Sequence, residues 1–316
     1  MTNPAFIRDT FQELGYVVVQ GLLDPDHDLR PLMLDYYDLL DQLAEKWVQD
    51  RLIPSTFSEL PFDERFIKIT SCLGENWAQY FDILLPAETK PDTPLHLSLA
   101  VFNLIRNQAI LDVIEALIGP EIYSNPIQHV RIKPPQRMVH NNDKANAMIG
   151  QTAWHQDQGA ALPEADGTEI VTVWLPLTEA SEENSCMRVI PGQHHKSLLT
   201  HCPVLTIPEK LLQHEEVVLP MQPGDVLFMH RLIPHASTPN TSNQVRWSFD
   251  LRYHPVGQPT GRPALPGFVA RSEKQPDKVL ESFDSWVSLW GKARENLIEN
   301  GPFQLHRWDG NEPACA

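Results

Sequence analysis

Apolar positions recur through the first third of the chain at helical spacing. Between residues 28 and 51, Leu29, Leu32, Met33, Tyr36, Tyr37, Leu40, Leu43 and Trp47 fall on one stripe, which predicts a long amphipathic helix docked on a core. A second helix is expected from Ser98, a suitable N-cap, to Leu117, where Gly119-Pro120 supplies a C-terminal glycine and a breaker. From about Ile122 the pattern changes to short segments punctuated by Pro and Gly. Residues 170–175, 217–219 and 226–229 read as strands, the last entered through the turn Pro223-Gly224-Asp225. The clearest alternation sets Val245, Trp247, Phe249, Leu251 and Tyr253 against Arg246, Ser248, Asp250 and Arg252. Periodicity defines two faces there, but does not say whether the polar one meets solvent or a cavity. Residues 138–150 and 256–275 read as loops. Residues 277–300 read as a closing helix burying Phe283, Trp286, Val287, Trp290 and Leu297. Short strands with such turns predict a sandwich or jelly roll. The expectation is a mainly β core over 121–255, a helical flank over 1–120, and a loop and closing helix over 256–316. No break in composition divides the chain, so residues 1–316 are expected to form one domain.

Bulk properties narrow the function more than the fold. Of 316 residues, 42% are hydrophobic and 21% charged, the balance of a globular protein. No apolar run approaches the ~20 residues of a bilayer span. The start Met1-Thr2-Asn3-Pro4-Ala5 has neither the basic region nor the apolar core of a secretory signal. A net charge of −16 repels nucleic acid phosphates and anionic lipid, so a small-molecule substrate is expected, without nucleic acid or membrane as partner. The charge also weakens a polyanionic thioester as substrate, although Arg131, Lys133, Arg137 and Lys144 form a local basic group. Cys72, Cys186, Cys202 and Cys315 lie far apart with no CxxC pair. That pattern predicts reduced thiols and a cytoplasmic protein, and argues against a disulfide frame or a zinc knuckle.

The candidate chemistry lies in Trp154-His155-Gln156-Asp157, followed by Pro234-His235-Ala236-Ser237 and, eleven residues after that histidine, Arg246. In an extended segment, residues i and i+2 share a face, so His155 and Asp157 can converge on one ion; on a helix they would diverge by about 200°. Gln151-Thr152-Ala153-Trp154 suits a strand or its end. Two imidazoles and one carboxylate form the facial triad of non-haem Fe(II), which leaves three positions open. His129, His140, His194, His195 and His230 are not needed as ligands; His230, five residues before His235, would face away from it on a continuous strand.

Several further segments accompany this set: Phe11–Val19, Leu117-Ile118-Gly119-Pro120, Lys133-Pro134-Pro135, Met187-Arg188-Val189-Ile190-Pro191-Gly192, Pro223-Gly224-Asp225 and Arg246-Trp247-Ser248. Together they resemble the phytanoyl-CoA dioxygenase-like family of Fe(II)/2-oxoglutarate dioxygenases over most of the chain. One departure is Ala236, where the family usually has glycine. The resemblance implies a double-stranded β-helix (jelly roll, cupin-like) with the metal at its mouth. It implies His155, Asp157 and His235 as ligands of Fe(II), and Arg246 as the anchor of the distal carboxylate of 2-oxoglutarate, a role suited to a guanidinium fork. Ser237 would add a hydroxyl donor. Lys133 would lie near the co-substrate carboxylates or be a solvated lysine, Trp174 would wall the pocket or pack in the core, and Arg188 would make a salt bridge or a substrate contact. The implied reaction consumes O2 and 2-oxoglutarate, releases succinate and CO2, and oxidises an unactivated C–H of a small organic molecule. Two other readings use the same residues. A zinc hydrolase also takes two histidines and a carboxylate, although the usual HExxH is absent. A non-catalytic jelly-roll binding protein should have lost a ligand or the arginine, and all four are present.

Overall fold

The computed structural model describes residues 3–74, 77–139, 146, 148–203, 205–213 and 215–315; His140 and Lys144, considered above, lie outside them. Helix α1 (Pro4–Leu14) passes through Gly15 into strand β1 (Tyr16–Val19). The helix stops there because Gly15 takes the left-handed conformation, φ 81°, with its N–H on the Phe11 carbonyl. Helix α2 (Arg30–Gln49) buries Leu32, Tyr36, Leu40, Ala44 and Trp47, as the apolar stripe predicts. Helix α3 (Phe62–Leu73), which the sequence reading did not assign, buries Phe66 and Ile69.

The single helix expected over 98–117 is two, α4 (Leu99–Ile105) and α5 (Gln108–Ile118). Ser98 caps the first as expected, its hydroxyl accepting from Val101 N–H at 3.2 Å. Asn107 then leaves helical geometry, φ −58° and ψ 126°, and its side chain caps the N–H groups of Ala109 and Ile110. The apolar spacing runs on across this break and hides it.

The remaining elements are strands β2 (Ile122–Ser124) and β3 (His129–Lys133), the single turn α6 (Asp157–Ala160), and strands β4 (Val171–Pro176), β5 (Met187–Val189), β6 (Val217–Leu219), β7 (Val226–His230), β8 (His235–Ser237), β9 (Arg246–Pro255) and β10 (Phe268–Arg271). Helix α7 (Phe283–Asn300) closes the series. Strand β10 falls in a stretch expected to be loop; its four residues are too few for an alternation to stand out among Pro and Gly. Among the described residues the larger sheet runs β1-β7-β4-β9-β2-β10, with β3 on the first half of β9; the smaller runs β6-β5-β8. All these pairings are antiparallel.

Strand β9 decides the question that periodicity left open, because both of its faces are buried. Its apolar face lies under the N-terminal helices: the rings of Trp247 and Phe249 are 5.1 and 6.0 Å from Tyr36 of α2, and the Tyr253 hydroxyl donates to Ile105 O of α4 at 2.8 Å. Each such side chain contributes about 1.5–3 kcal/mol by burial. The polar face therefore turns to the interior. Helix α7 buries Trp286, Trp290, Ala293 and Leu297. Val287, expected on that side, is 36% exposed, because it sits about 100° around the helix from Trp286.

The cysteines also depart from expectation: Cys202 and Cys315 form a disulfide across 113 residues of sequence. The tail after α7 returns over the loop that precedes β6, a proximity that cysteine spacing does not encode. Cys72 and Cys186 are free. No helix among the described residues is long and apolar enough to cross a membrane.

Candidate metal centre and anion pocket

His155 and His235 are brought together by an antiparallel bridge in which each backbone N–H donates to the other's carbonyl, at 3.0 and 2.9 Å. Their rings lie 4.1 Å apart. The strand expected to carry both His155 and Asp157 is shorter than predicted: His155 is the bridge residue, Gln156 is extended (φ −113°, ψ 137°), and Asp157 opens α6. Two extended residues suffice for the i, i+2 convergence. Among the described residues, one group has the geometry to hold a metal ion: His155, Asp157 and His235, all buried, with ligand atoms within 4.8 Å of one another.

Hydrogen bonding sets the tautomers. His155 Nδ1 donates to Ala153 O at 2.9 Å and His235 Nδ1 to Ile233 O at 3.0 Å. A carbonyl only accepts, so both Nε2 atoms keep a lone pair for an ion. They lie 3.9 and 3.8 Å from the two oxygens of Asp157. Burial, then the neighbouring His235, holds the His155 pKa well below the ordinary histidine value, so the ring is a neutral donor. Burial also opposes ionisation of Asp157, but Arg252, His235, His155 and the Thr172 hydroxyl outweigh it and leave a carboxylate.

Arg252 and Thr172 both contact Asp157, and the sequence reading did not single out either. Arg252 Nη2 donates to Asp157 Oδ1, Thr172 Oγ1 donates to Oδ2, and Arg252 Nη1 is tied to Ile127 O at 2.9 Å. Arg131 and Asp250 form a second buried ion pair beside them. The available signal was the alternation of β9, once its polar face is known to point inward. Thr172 stands two residues before Trp174 on β4, hence on the same face.

His155, His235, Thr172, Arg252, Arg131 and Asp250 line a narrow cavity with Trp174, Arg246, Thr152, Met187 and Met229. Lys133 and Arg246 face each other in register on β3 and β9, each 1% exposed. Lys133 Nζ donates to Thr152 Oγ1 at 2.7 Å and to Ser237 Oγ at 3.4 Å. Arg246 donates to the hydroxyls of Ser248 and Ser185, lies 5.5 Å over the Trp174 ring, and leaves its Nε without a partner. Neither cation is among the ion pairs of the described residues. Desolvation, then Arg246, pushes the Lys133 pKa well below the ordinary lysine value; desolvation brings that of Arg246 down to about 10. Ser237, expected to add a hydroxyl donor, is fully buried, and its hydroxyl oxygen accepts from Thr152 N–H at 3.0 Å.

Other sequence candidates lie elsewhere. His230 ends β7 and packs with His194 (5.0 Å) and Phe11 (5.9 Å) at the end of α1; the strand breaks before His235, so the opposite-face argument does not apply. His129 binds Asp82 at 3.0 Å. Arg188 pairs with Glu216 at 3.0 Å and lies over Trp154. The described members of the basic group do not form one exposed anion site, since Arg131 binds Asp250, Lys133 is buried and donates to Thr152, and Arg137 binds Ser242 O and Asn243.

A family model described as phytanoyl-CoA dioxygenase matches residues 11–248. The 1-deoxypentalenic acid 11-beta-hydroxylase of Streptomyces exfoliatus is 33% identical over 129 residues, covering 36% of this chain and 44% of that protein. The match thus spans less than half of that relative. Among solved structures, EvdO2 from Micromonospora carbonacea var. aurantiaca, complexed with 2-oxoglutarate, aligns with a TM-score of 0.53 at 20% identity, over 83% of this chain and 97% of its own. The epimerase SnoN, in complex with Fe3+, alpha ketoglutarate and nogalamycin RO, aligns with a TM-score of 0.51 at 18% identity, over 82% and 88%. At these identities the likeness to both structures is one of fold.

Proposed function

This chain belongs to the phytanoyl-CoA dioxygenase family, and on that premise we propose that it is an Fe(II)- and 2-oxoglutarate-dependent oxygenase of a small organic molecule. His155, Asp157 and His235 would hold the iron. Their two neutral nitrogens and one oxygen fit Fe(II), and a three-residue set leaves coordination positions for co-substrate and O2. The observation that carries the reading is the pair of buried cations without a carboxylate partner, Lys133 and Arg246, beside that donor set. Burying these two basic groups with no ion pair of their own is costly unless an anion joins them. Asp250 favours their charge without contacting either, and a dicarboxylate with one end toward the ion and the other toward the pair supplies the anion.

With iron, 2-oxoglutarate and O2 bound, the centre supplies oxidation of an unactivated C–H coupled to release of succinate and CO2. The chain's own residues do the rest. Arg246 forks onto the distal carboxylate, with Trp174 against the face of its guanidinium. Lys133 adds a second charge, and Ser237 and Thr152 hold that ammonium. Arg252 and Thr172 orient Asp157 so that one face meets the ion. Met187, Met229 and Trp174 exclude water from the walls. The two antiparallel sheets would be the walls of a double-stranded β-helix, and residues 1–316 one oxygenase domain. The test is 2-oxoglutarate-dependent succinate release by the anaerobically iron-loaded protein on exposure to O2. Activity that zinc supports and iron does not would instead favour a hydrolase; no turnover with intact metal and 2-oxoglutarate binding would favour a binding protein.

A further inference from the structure

The segment after α7 has no part in the sheets, yet it reaches the back of the metal centre. The Trp308 indole donates to Gly159 O at 2.9 Å, and its ring stacks on His201 at 5.2 Å and 27°. Arg307 pairs with Asp166, and the carbonyls of Leu305 and Ala160 both accept from Arg262 Nη2. His201 is fully buried. Its Nδ1 donates to Leu199 O at 2.9 Å, so its Nε2 is an acceptor, and it takes the N–H of Gln156 at 2.9 Å. Gln156 is the residue between His155 and Asp157. The same loop grips it again, because Gln156 Oε1 accepts from Leu199 N–H at 2.7 Å. The fit is tight: a Cβ on Gly159 would lie 2.3 Å from the His201 ring. Cys202, next to His201 in sequence, is bonded to Cys315 near the end of the tail.

We infer that residues 301–315, closed by the Cys202–Cys315 bond, are a positioning strap that holds His201 against Gln156 and so sets the turn carrying His155 and Asp157. The role of the turn rests on the metal-centre reading above; the mechanical hold does not. The strap leans on one face of His201 through Trp308 and is tied covalently beside it, so opening the disulfide frees the tail and loosens the backbone between the two ligands. Neither cysteine is fully buried, so a dithiol can reach the bond. In that exchange the S–S bond breaks, the reductant's two protons and two electrons convert Cys202 and Cys315 to thiols, and the reductant leaves as its own disulfide.

The test uses the full chain purified without reductant. Alkylation under denaturing conditions should modify two of the four cysteines before reduction and all four after it; four before reduction overturns the covalent closure. Amide hydrogen exchange over residues 155–160 should speed up at least tenfold in Cys315→Ser, in Trp308→Ala and in the reduced wild type, with α5 and β9 unchanged. Unchanged exchange there in both variants overturns the strap, whatever the metal does. Anaerobic Co(II) titration supplies the functional readout. Affinity should fall about tenfold in Cys315→Ser, the size expected of an outer contact to a ligand segment. His201→Gln, which keeps an acceptor for Gln156 N–H, should restore most of what His201→Leu loses; equal loss in the two overturns the positioning role of His201. A wild type that binds no Co(II) defeats the metal-centre reading alone, and the exchange measurement still decides the strap.

Discussion

Replacing Lys133 by methionine should stabilise the ligand-free protein and abolish its response to 2-oxoglutarate. The ammonium is 1% exposed, and its hydrogen bonds are to Thr152 and Ser237. Desolvation, then Arg246, depresses its pKa far below 10.5. An unfolded lysine keeps the ordinary value, so stability is lost as pH falls from that value toward the folded one, and is not regained below it. At neutral pH the wild type carries this cost, whether as a dehydrated ammonium or as a lysine held neutral. Desolvating one ion costs several kcal/mol, while each hydrogen bond given up returns only about 1 kcal/mol. Methionine has similar length and no charge, so the net gain is about 1–3 kcal/mol. For a chain of this length, at ~2.1 cal/mol/K per residue, that raises Tm by about 2–4 °C. The assay is thermal unfolding with a redox-inert divalent metal, with and without 2-oxoglutarate. At a hundred times its Kd the ligand should add ~2.7 kcal/mol to the wild type and almost nothing to the variant at the same concentration. A variant less stable than wild type that still responds to 2-oxoglutarate would refute the reasoning and leave Lys133 as a structural donor to Thr152.

Arg246→Ala should weaken 2-oxoglutarate binding by ~30-fold or more, from ~2–5 kcal/mol for a truncated charge pair, and Arg246→Lys should recover only part of it; calorimetric titration that finds unchanged affinity would move the anchor to Lys133 alone. Arg252→Gln should lower metal affinity ~10–100-fold by releasing Asp157 Oδ1, while unchanged anaerobic Co(II) binding would mean that Thr172 suffices to orient the carboxylate. Gly15→Ala forces a side chain into φ 81° and to 2.4 Å from the His194 ring, so urea unfolding should show a loss of about 2–4 kcal/mol; a loss below ~0.5 kcal/mol would show that the histidine cluster yields.

Long periodic segments were legible in the sequence because burial acts on them directly, as in the Leu32–Trp47 stripe of α2 and the alternation of β9. The triad was legible because His155 and Asp157 stand in one short segment, and the resemblance supplied the distant His235 and Arg246. What periodicity could not express was orientation. Arg252 and Asp250 are on the polar side of β9, and only the helices packed on Trp247, Phe249 and Tyr253 turn that side inward. Nor could it express contacts made by return of the chain. Asn107 splits a continuous apolar run through a side-chain cap, Val287 loses its place to Trp286 and Trp290 on a two-tryptophan face, and Cys202 meets Cys315 only because the tail folds back.

The most direct test of the central claim is an anaerobic titration of the Fe(II)-loaded protein with 2-oxoglutarate, following the visible metal-to-ligand charge-transfer absorption in the wild type and in His235→Ala. The expected result is a saturable band in the wild type that requires both iron and 2-oxoglutarate, and no band in a folded His235→Ala. A wild type without the band, or a variant with the same band and affinity, would contradict chelation of 2-oxoglutarate at an iron held by His155, Asp157 and His235.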